Sequence, residues 1–233
     1  MCRVAILQSN YIPWKGYFDL INSVDIFVFY DEVQFTKNDW RNRNIIKNSN
    51  GIQWLTIPVF HHHLDQKIQD TKIANKIWIR KHLQSIQLNY KKSNFYSEIF
   101  PFIENLYQID SEYLSIINQS VVQKINQLLK IETRIINSTE LKLEGNKIER
   151  LVDACKKLNA TTYVSGPRAK EYLDETQFNQ NRIQVEWKDY TKYDSYSQLH
   201  QPFSHNVSII DTLMNLGIEK TKHYIKNGCR NIN

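Results

Sequence analysis

The segment from Gln8 to Lys47 is dense in side chains that could bind or transform a small ligand. It combines amides, aromatic rings and cations: Gln8, Tyr11, Trp14, Tyr17, Asp31, Gln34, Lys37, Trp40, Arg41, Asn42, Arg43 and Lys47. Guanidinium groups bind phosphate or carboxylate through two parallel hydrogen bonds, and ammonium groups add a point charge. The segment therefore predicts a pocket for a small anionic ligand. The alternative is a solvated loop whose arginines pair with Asp31 and Asp39.

Asp31 is the carboxylate, and His82 the imidazole, best suited to acid–base chemistry. Asp31 follows a predicted strand, and it could deprotonate an attacking amine if burial raised its pKa toward neutrality. An ion pair with Arg41 or Arg43 would instead lower that pKa and make Asp31 a positioning group. His82 lies beside Trp78 on a predicted helix, where a hydrogen-bonded packing histidine is the commoner alternative to a catalytic one.

Four aromatic rings, those of Tyr11, Trp14, Tyr17 and Trp40, could stack on a sugar or a base, or could cap the sheet as buried packing residues. Gly16 follows the first strand, where a glycine lets the backbone approach phosphate at a helix N-terminus. This loop has the position of the nucleotide-binding loop in adenylate-forming nucleotidyl-transferase folds. The histidines that those enzymes use are missing, so the analogy is one of fold alone.

Later segments contribute fewer candidates. Three adjacent loop residues, His61 to His63, cannot easily face one ion, so no metal site is predicted. Ser165 and Gly166 follow a strand without the second flanking glycine of a nucleophile elbow, so they are predicted to line the ligand site rather than to form an acyl-serine. Gln198 is predicted to close the site from the C-terminal side.

Strands separated by helices must position these residues. Short apolar runs predict strands at 3–8, 26–30, 53–59, 133–138, 161–165 and 183–187. Helical spacing predicts helices at 17–22, 147–158, 169–175 and 208–216, and three more between 76 and 129. Residues 223–233 are predicted to form a tail after the last helix.

This alternation predicts an α/β fold: a doubly wound, mostly parallel, Rossmann-like sheet with a helical insertion. In such sheets the ligand crevice lies at the carboxyl ends of the strands, where Gln8, Ser165 and Gly166 are predicted to lie. The predicted divisions are 1–75, the half that holds the pocket; 76–130, the helical insertion; and 131–233, the second half.

Composition narrows the class of protein. The 233 residues have a formal charge of +6, but lysine and arginine are scattered, which favours a small anion over nucleic acid as partner. The three cysteines, Cys2, Cys155 and Cys229, lack paired spacing, so we expect a reducing cytosol. The apolar run at 4–7 is too short for a signal peptide or a membrane span, so we expect a cytoplasmic protein without membrane insertion.

Several segments of the chain resemble the WbqC-like protein family. The strongest likeness lies at 8–18, 31–37, 40–44 and 54–58, and it continues through His82 and through 90–92, 163–166, 196–198 and 208–211. The resemblance therefore covers nearly the whole chain. It implies an association with bacterial surface-polysaccharide and O-antigen pathways, and it does not define a reaction.

The resemblance and the pocket residues together predict an enzyme that acts on a nucleotide-linked amino or acidic sugar, or on a lipid-linked one, by N-acyl, aminoacyl or amide transfer. No tightly bound cofactor is expected, since holding an amine and an activated acyl donor in line supplies much of the rate. Two alternatives stay open: a non-catalytic protein that presents a nucleotide sugar or glycan intermediate, and an ATP-dependent adenylate-forming amide ligase. The sequence carries no signal of oligomeric state.

Overall fold

A computed structural model describes residues 1–227 and confirms an α/β fold with a mostly parallel sheet. The main sheet contains β1 (Arg3–Leu7), β2 (Ile26–Phe29), β5 (Arg134–Asn137), β6 (Thr162–Ser165) and β7 (Gln184–Trp187). All neighbours pair in parallel, in the order β5-β2-β1-β6-β7. Both β2 and β6 are buried along their whole length, as expected for strands covered on two faces.

Counted only among themselves, these five strands have the order 3-2-1-4-5. Doubly wound nucleotide-binding sheets have the same order, and they bind ligands beyond the carboxyl ends of their strands. Here Gln8 directly follows β1, and Ser165 is the last residue of β6, so both lie at that edge. A likeness of strand order does not by itself carry a function.

Helices cover both faces of the sheet. They are α1 (Lys15–Asn22), α2 (Ile77–Tyr90), α3 (Tyr96–Leu106), α4 (Leu114–Leu128), α5 (Lys147–Lys157), α6 (Glu175–Gln180) and α7 (Ile209–Asn227). The three helices predicted between 76 and 129 are present, and they share one apolar core with α1 and α7. Helices α5 and α6 pack in a second core on the opposite face.

Two predicted elements are corrected. The predicted strand at 53–59 does not join the main sheet; instead β4 (Gly51–Thr56) pairs antiparallel with β3 (Arg43–Asn48) in a separate hairpin. The predicted helix at 169–175 is replaced by a 3-10 turn, Pro167–Glu171, and by α6. The boundary falls there because the Asp174 side chain accepts a hydrogen bond from the Thr176 N–H and caps α6.

Helix α7 is longer than the predicted helix at 208–216. Gly217 has φ 72° and interrupts the helical backbone, as a C-cap glycine does, but the helix resumes and continues to Asn227. The predicted tail at 223–233 is therefore helical up to Asn227, and its remainder, with Cys229, lies outside the described residues. None of the helices described has the length and apolar composition that a membrane span needs.

Candidate functional site

Asp31 is a buried carboxylate at the carboxyl edge of the sheet. It follows β2 closely, and only 4% of its surface is exposed. The backbone N–H of Ser9, just past β1, donates to Oδ1 over 2.8 Å, and the side-chain amide of Gln119 on α4 donates to Oδ2 over 2.8 Å. Neutral donors from two elements therefore hold this carboxylate in place.

The pKa of Asp31 is raised above its ordinary value. Burial is the main cause, and the hydrogen bonds from Ser9 and Gln119, with the charge of Arg41, oppose it more weakly. Burial therefore shifts the pKa of Asp31 in the direction that a general base needs.

The arginines near Asp31 are engaged elsewhere. Arg41 forms an ion pair with Asp39 at 3.2 Å and donates to Oδ1 of Asn10 over 3.3 Å. The guanidinium of Arg43 lies over an indole ring of the hairpin. Within residues 1–227 no ion pair joins Asp31 to either arginine. The ion pair that would have made Asp31 a positioning group is therefore absent from the described residues.

A cleft of about 390 Å³ opens beside Asp31 at the carboxyl ends of β2 and β5. Besides Asp31, its wall contains carboxyl, amide and hydroxyl groups from three parts of the chain: Gln69, Asp70, Ser115, Gln119, Ser138 and Thr139. Of the described residues that line this cleft, none is lysine or arginine. This lining suits a polyhydroxylated or amino-bearing small molecule better than a bare polyanion.

The first turn of α4 forms one side of the cleft. The helix begins at Leu114, has no acidic residue in its first turn, and has no side chain hydrogen-bonded as a cap at its N-terminus. Ser115 and Ile116 of this turn line the cleft. Backbone N–H groups at a helix N-terminus attract negative charge. The helix N-terminus therefore places positive potential on this wall of the cleft.

His82 lies in a different environment, in a buried aromatic cluster with Trp78. Its Nδ1 is 2.8 Å from the Tyr11 hydroxyl, which is 2.7 Å from the Tyr107 hydroxyl. Burial lowers the pKa of His82 to about 4, and a hydrogen bond with the Thr56 backbone opposes this shift. The imidazole is therefore neutral near pH 7. Its catalytic role stays a prediction, and Tyr11 is a buried partner of the imidazole.

Trp40 and Arg43 lie against Trp54 of the β3–β4 hairpin. The Arg43 guanidinium carbon is 4.0 Å from the centroid of the Trp54 ring, and the centroids of Trp40 and Trp54 are 5.5 Å apart. Asn42 is buried beside them and donates to the carbonyl of Ile57 over 3.0 Å. Trp40 and Arg43 thus lie on the hairpin and Asn42 is buried, and none of the three lines the cleft beside Asp31.

Trp14, Gly16 and Tyr17 are parts of the packing around α1. The Trp14 ring contacts Tyr190 edge-on, with centroids 5.0 Å apart. A Cβ at Gly16 would lie 2.2 Å from the Trp14 indole, so that ring already fills the space above the glycine. Tyr17 is buried, and its hydroxyl donates to the carbonyl of Gln8 over 2.9 Å. The proposed approach of phosphate to Gly16 therefore has no room in this arrangement.

The remaining predicted residues are spread over the molecule. Gln34 and Lys37 are exposed in the loop after β2. Ser165 and Gly166 lie at the carboxyl end of β6, and a Cβ at Gly166 would meet no atom within 4 Å.

Gln198 is buried and fully engaged with its neighbours. Its amide nitrogen donates to Oδ1 of Asp211 over 2.8 Å and to the carbonyl of Ser204 over 2.9 Å. Its amide oxygen accepts from the N–H of Ser204 over 2.8 Å. These hydrogen bonds connect the loop at 198–204 to the start of α7.

The predicted residues therefore do not converge on one cavity. They divide among the cleft at Asp31, the cluster around His82, the hairpin surface and buried packing positions. Six polar residues that line the cleft were not predicted from the sequence: Gln69, Asp70, Ser115, Gln119, Ser138 and Thr139. Ser138 directly follows β5, so the reasoning that selected Asp31 at a strand end applies to it as well.

The histidine run is not assembled into a metal centre. His62 stacks on Phe60, and Nδ1 of His63 lies 2.6 Å from a carboxylate oxygen of Asp65. Within the part of the chain that the structure describes, no group of three histidine, cysteine, aspartate or glutamate side chains is placed to hold a metal ion.

The chain belongs to the WbqC-like protein family, whose model matches residues 8–223. It is also 44% identical, over 225 residues, to an uncharacterized protein of Mycobacterium tuberculosis; the match spans 94% of this chain and 96% of that protein. No solved structure matches the chain. The comparisons thus establish the family, and the mycobacterial relative brings no described activity.

Proposed function

We propose that this member of the WbqC-like family is a transferase that forms an amide on the amino group of a sugar, during the assembly of a bacterial surface glycan. The acceptor is a nucleotide-linked amino sugar whose sugar ring enters the cleft while its diphosphate stays outside, since no lysine or arginine belongs to the described lining. The donor is an activated acyl or aminoacyl group. The observation that carries the proposal is the buried carboxylate of Asp31, held by neutral donors at the wall of a polar cleft. The surface-polysaccharide association that the family resemblance implies supports a glycan as the product.

The cleft favours an amine over an acidic group on the reacting sugar. Asp31 and Asp70 both line it, and no lysine or arginine of the described chain does. A second carboxylate on the substrate would meet like charge, whereas an amino group would find an acceptor in Asp31. Hydroxyl groups of Ser115, Ser138 and Thr139 can recognise the remaining hydroxyls of a sugar ring.

The proposed reaction is general-base-assisted acyl transfer. The sugar amine attacks the acyl carbonyl and forms the new C–N bond, and Asp31 accepts the proton that the nitrogen loses. The tetrahedral intermediate then collapses, the bond to the phosphate or thiol leaving group breaks, and protonated Asp31 returns the proton to that group. A raised pKa suits both halves of this cycle, because the carboxyl group must accept a proton and then release it.

The first turn of α4 supplies the second element of the mechanism. The N–H of Leu114 donates to the carbonyl of Thr71, so the turn offers the N–H groups of Ser115 and Ile116, the two residues of this turn that line the cleft, and the Ser115 hydroxyl. Negative charge develops on the carbonyl oxygen in the intermediate, and preorganised N–H donors stabilise such charge strongly in a water-poor site. Gln119, one turn further along α4, holds Asp31 on the same side.

The test is product formation by the purified protein. Nucleotide-linked amino sugars are incubated with acyl-phosphate, acyl-thioester and aminoacyl donors, and the amide product is measured by mass spectrometry. Asp31→Asn keeps the shape of the side chain but cannot accept the proton, and we expect it to lower the rate at least 100-fold. Asp110→Asn, at a carboxylate that is 77% exposed and outside the cleft, is the matched control and should leave the rate unchanged.

Three results would contradict the proposal. Full activity of Asp31→Asn would remove Asp31 from the reaction. Tight binding of a nucleotide sugar by the wild-type protein, without product from any donor, would favour the alternative of a non-catalytic binding protein. Formation of pyrophosphate that requires ATP and Mg²⁺ would instead favour the adenylate-forming ligase.

A further inference from the structure

A second cleft, of about 510 Å³, lies between β4 and α2. Two indole rings, those of Trp54 and Trp78, line it together with neutral polar side chains from Thr56, Asn75 and Ser85. Lys81 is the one side chain with a permanent charge in its described lining, and no carboxylate lines it. We call this cleft the hairpin groove. It shares no lining residue with the cleft beside Asp31.

Trp54 is an exposed indole held in a fixed orientation. It is 40% exposed, although tryptophan is a large apolar residue that proteins usually cover. The Arg43 guanidinium lies 4.0 Å from the centroid of its ring, and Trp40 lies 5.5 Å away. Such contacts restrict the ring before any ligand arrives, which reduces the entropy lost on binding.

Trp78 is the second indole in the lining of the hairpin groove. Only 5% of its surface is exposed, and its indole N–H has no hydrogen-bond partner among residues 1–227. A buried donor without a partner costs about 1–3 kcal/mol. This N–H is itself sealed from solvent, so Trp78 contributes ring surface to the lining of the hairpin groove.

We propose that the hairpin groove binds a ring of a neutral sugar, which stacks on the part of the Trp54 indole that Arg43 and Trp40 leave exposed. The apolar face of a pyranose packs against an indole, while its hydroxyls need neutral donors and acceptors such as Thr56, Asn75 and Ser85. A phosphate would require more positive charge than Lys81 supplies. A protein partner would require a wider apolar surface than a cleft half lined by polar groups. The site goes beyond the transferase proposal and does not depend on Asp31.

Binding of neutral oligosaccharides to the full chain tests this site. Oligosaccharides of glucose, galactose, mannose and N-acetylglucosamine are titrated to 10 mM, with tryptophan fluorescence and calorimetry as readouts. We expect saturable binding of at least one of them, an affinity at least tenfold lower in Trp54→Ala, and partial retention in Trp54→Phe. The matched control is Tyr172→Ala, which removes an aromatic ring that is 71% exposed and outside the groove.

Three outcomes would overturn the proposal. They are the absence of binding by the wild-type protein for every oligosaccharide, an unchanged affinity in Trp54→Ala, and a change in oligomeric mass caused by Trp54→Ala. The last result would make Trp54 a contact between protein chains. Thermal unfolding of each variant shows whether a loss of binding reflects a loss of fold. Oligosaccharide binding is measured with Asp31→Asn as well as with wild type. Binding that is retained in Asp31→Asn shows that the hairpin groove acts independently of Asp31, so failure of the transferase proposal does not decide this one.

Discussion

The hydroxyl group of Tyr11 lies 2.8 Å from Nδ1 of His82, and both side chains are buried. The same hydroxyl is 2.7 Å from that of Tyr107. One oxygen atom thus links polar groups from a loop and two helical segments inside an otherwise aromatic cluster. Such a network stabilises a fold only while each member keeps its partner.

Tyr11→Phe should destabilise the protein. It removes the hydroxyl that serves both His82 and Tyr107 and leaves those buried groups with one partner fewer, so we expect a loss of about 1–3 kcal/mol in the free energy of unfolding. Urea denaturation measures this loss. Tyr172→Phe makes the same chemical change at a side chain that is 71% exposed and should have no effect. Equal stability of the two variants would show that the network is energetically neutral.

His82 should make stability depend on pH in the acid range. Its folded-state pKa is about 4 and its ordinary value 6.5, so between these values the unfolded chain binds a proton that the folded chain does not. The contribution of His82 is present above pH 6.5 and is lost as the pH falls through 4, by about 3 kcal/mol at most. Urea denaturation between pH 4 and pH 7 measures this dependence. His82→Asn should flatten it, whereas His63→Asn, at an exposed ring, should not.

Asp31 should make the protein less stable as the pH rises, opposite to the effect of His82. Its folded-state pKa is raised above the ordinary value of 3.8, so its favourable contribution is present below pH 3.8 and is lost as the pH rises through the raised value. Asp31→Asn should therefore be more stable than wild type at pH 7, and the difference should shrink as the pH falls to 3.8. The measurement is denaturation at both pH values. A variant that is less stable than wild type at pH 7 would indicate that ionised Asp31 is favourably held.

Gly16 and Gly166 should respond differently to alanine. At Gly16 the new methyl group would lie 2.2 Å from the Trp14 ring, and we expect displacement of that ring at a cost of about 1–3 kcal/mol. At Gly166 the methyl group meets nothing within 4 Å and φ is −70°, so stability should change by less than about 0.5 kcal/mol. Thermal unfolding distinguishes the two. Comparable losses at both positions would contradict the packing argument.

The alternation of strands and helices could be predicted because each central strand is a short apolar run. The strands of a parallel sheet are covered on both faces, so a continuous apolar run indicates a central strand. The buried residues Ala5 and Ile6 in β1, and Phe27 and Val28 in β2, are such runs. Strand β3 could not be recognised in this way. Its Asn44 is buried only because it donates to the carbonyls of Tyr11 and Ile12, and such tertiary partners are invisible in a local pattern.

The site was predictable only in part for a related reason. Asp31 could be selected because strand ends meet at one edge of the sheet. Gln119 lies 88 positions further along the chain and reaches Asp31 only through the packing of α4, whose pattern indicates a core helix and nothing more. The aromatic residues of the first segment suggested one pocket, yet tyrosine and tryptophan are equally suited to buried contacts with a polar partner, as Tyr11 and Tyr17 demonstrate.

The central place of β1 has a consequence for how the chain reaches its native state. Its residue Val4 is paired with Ile26 on one side and with Tyr163 on the other. Strand β1 leaves the ribosome before β6, so one of its two edges stays unpaired until β6 has been synthesised. Pairings between such distant positions make folding slow, and the unfilled edge of β1 is the surface that a chaperone would have to shield during translation.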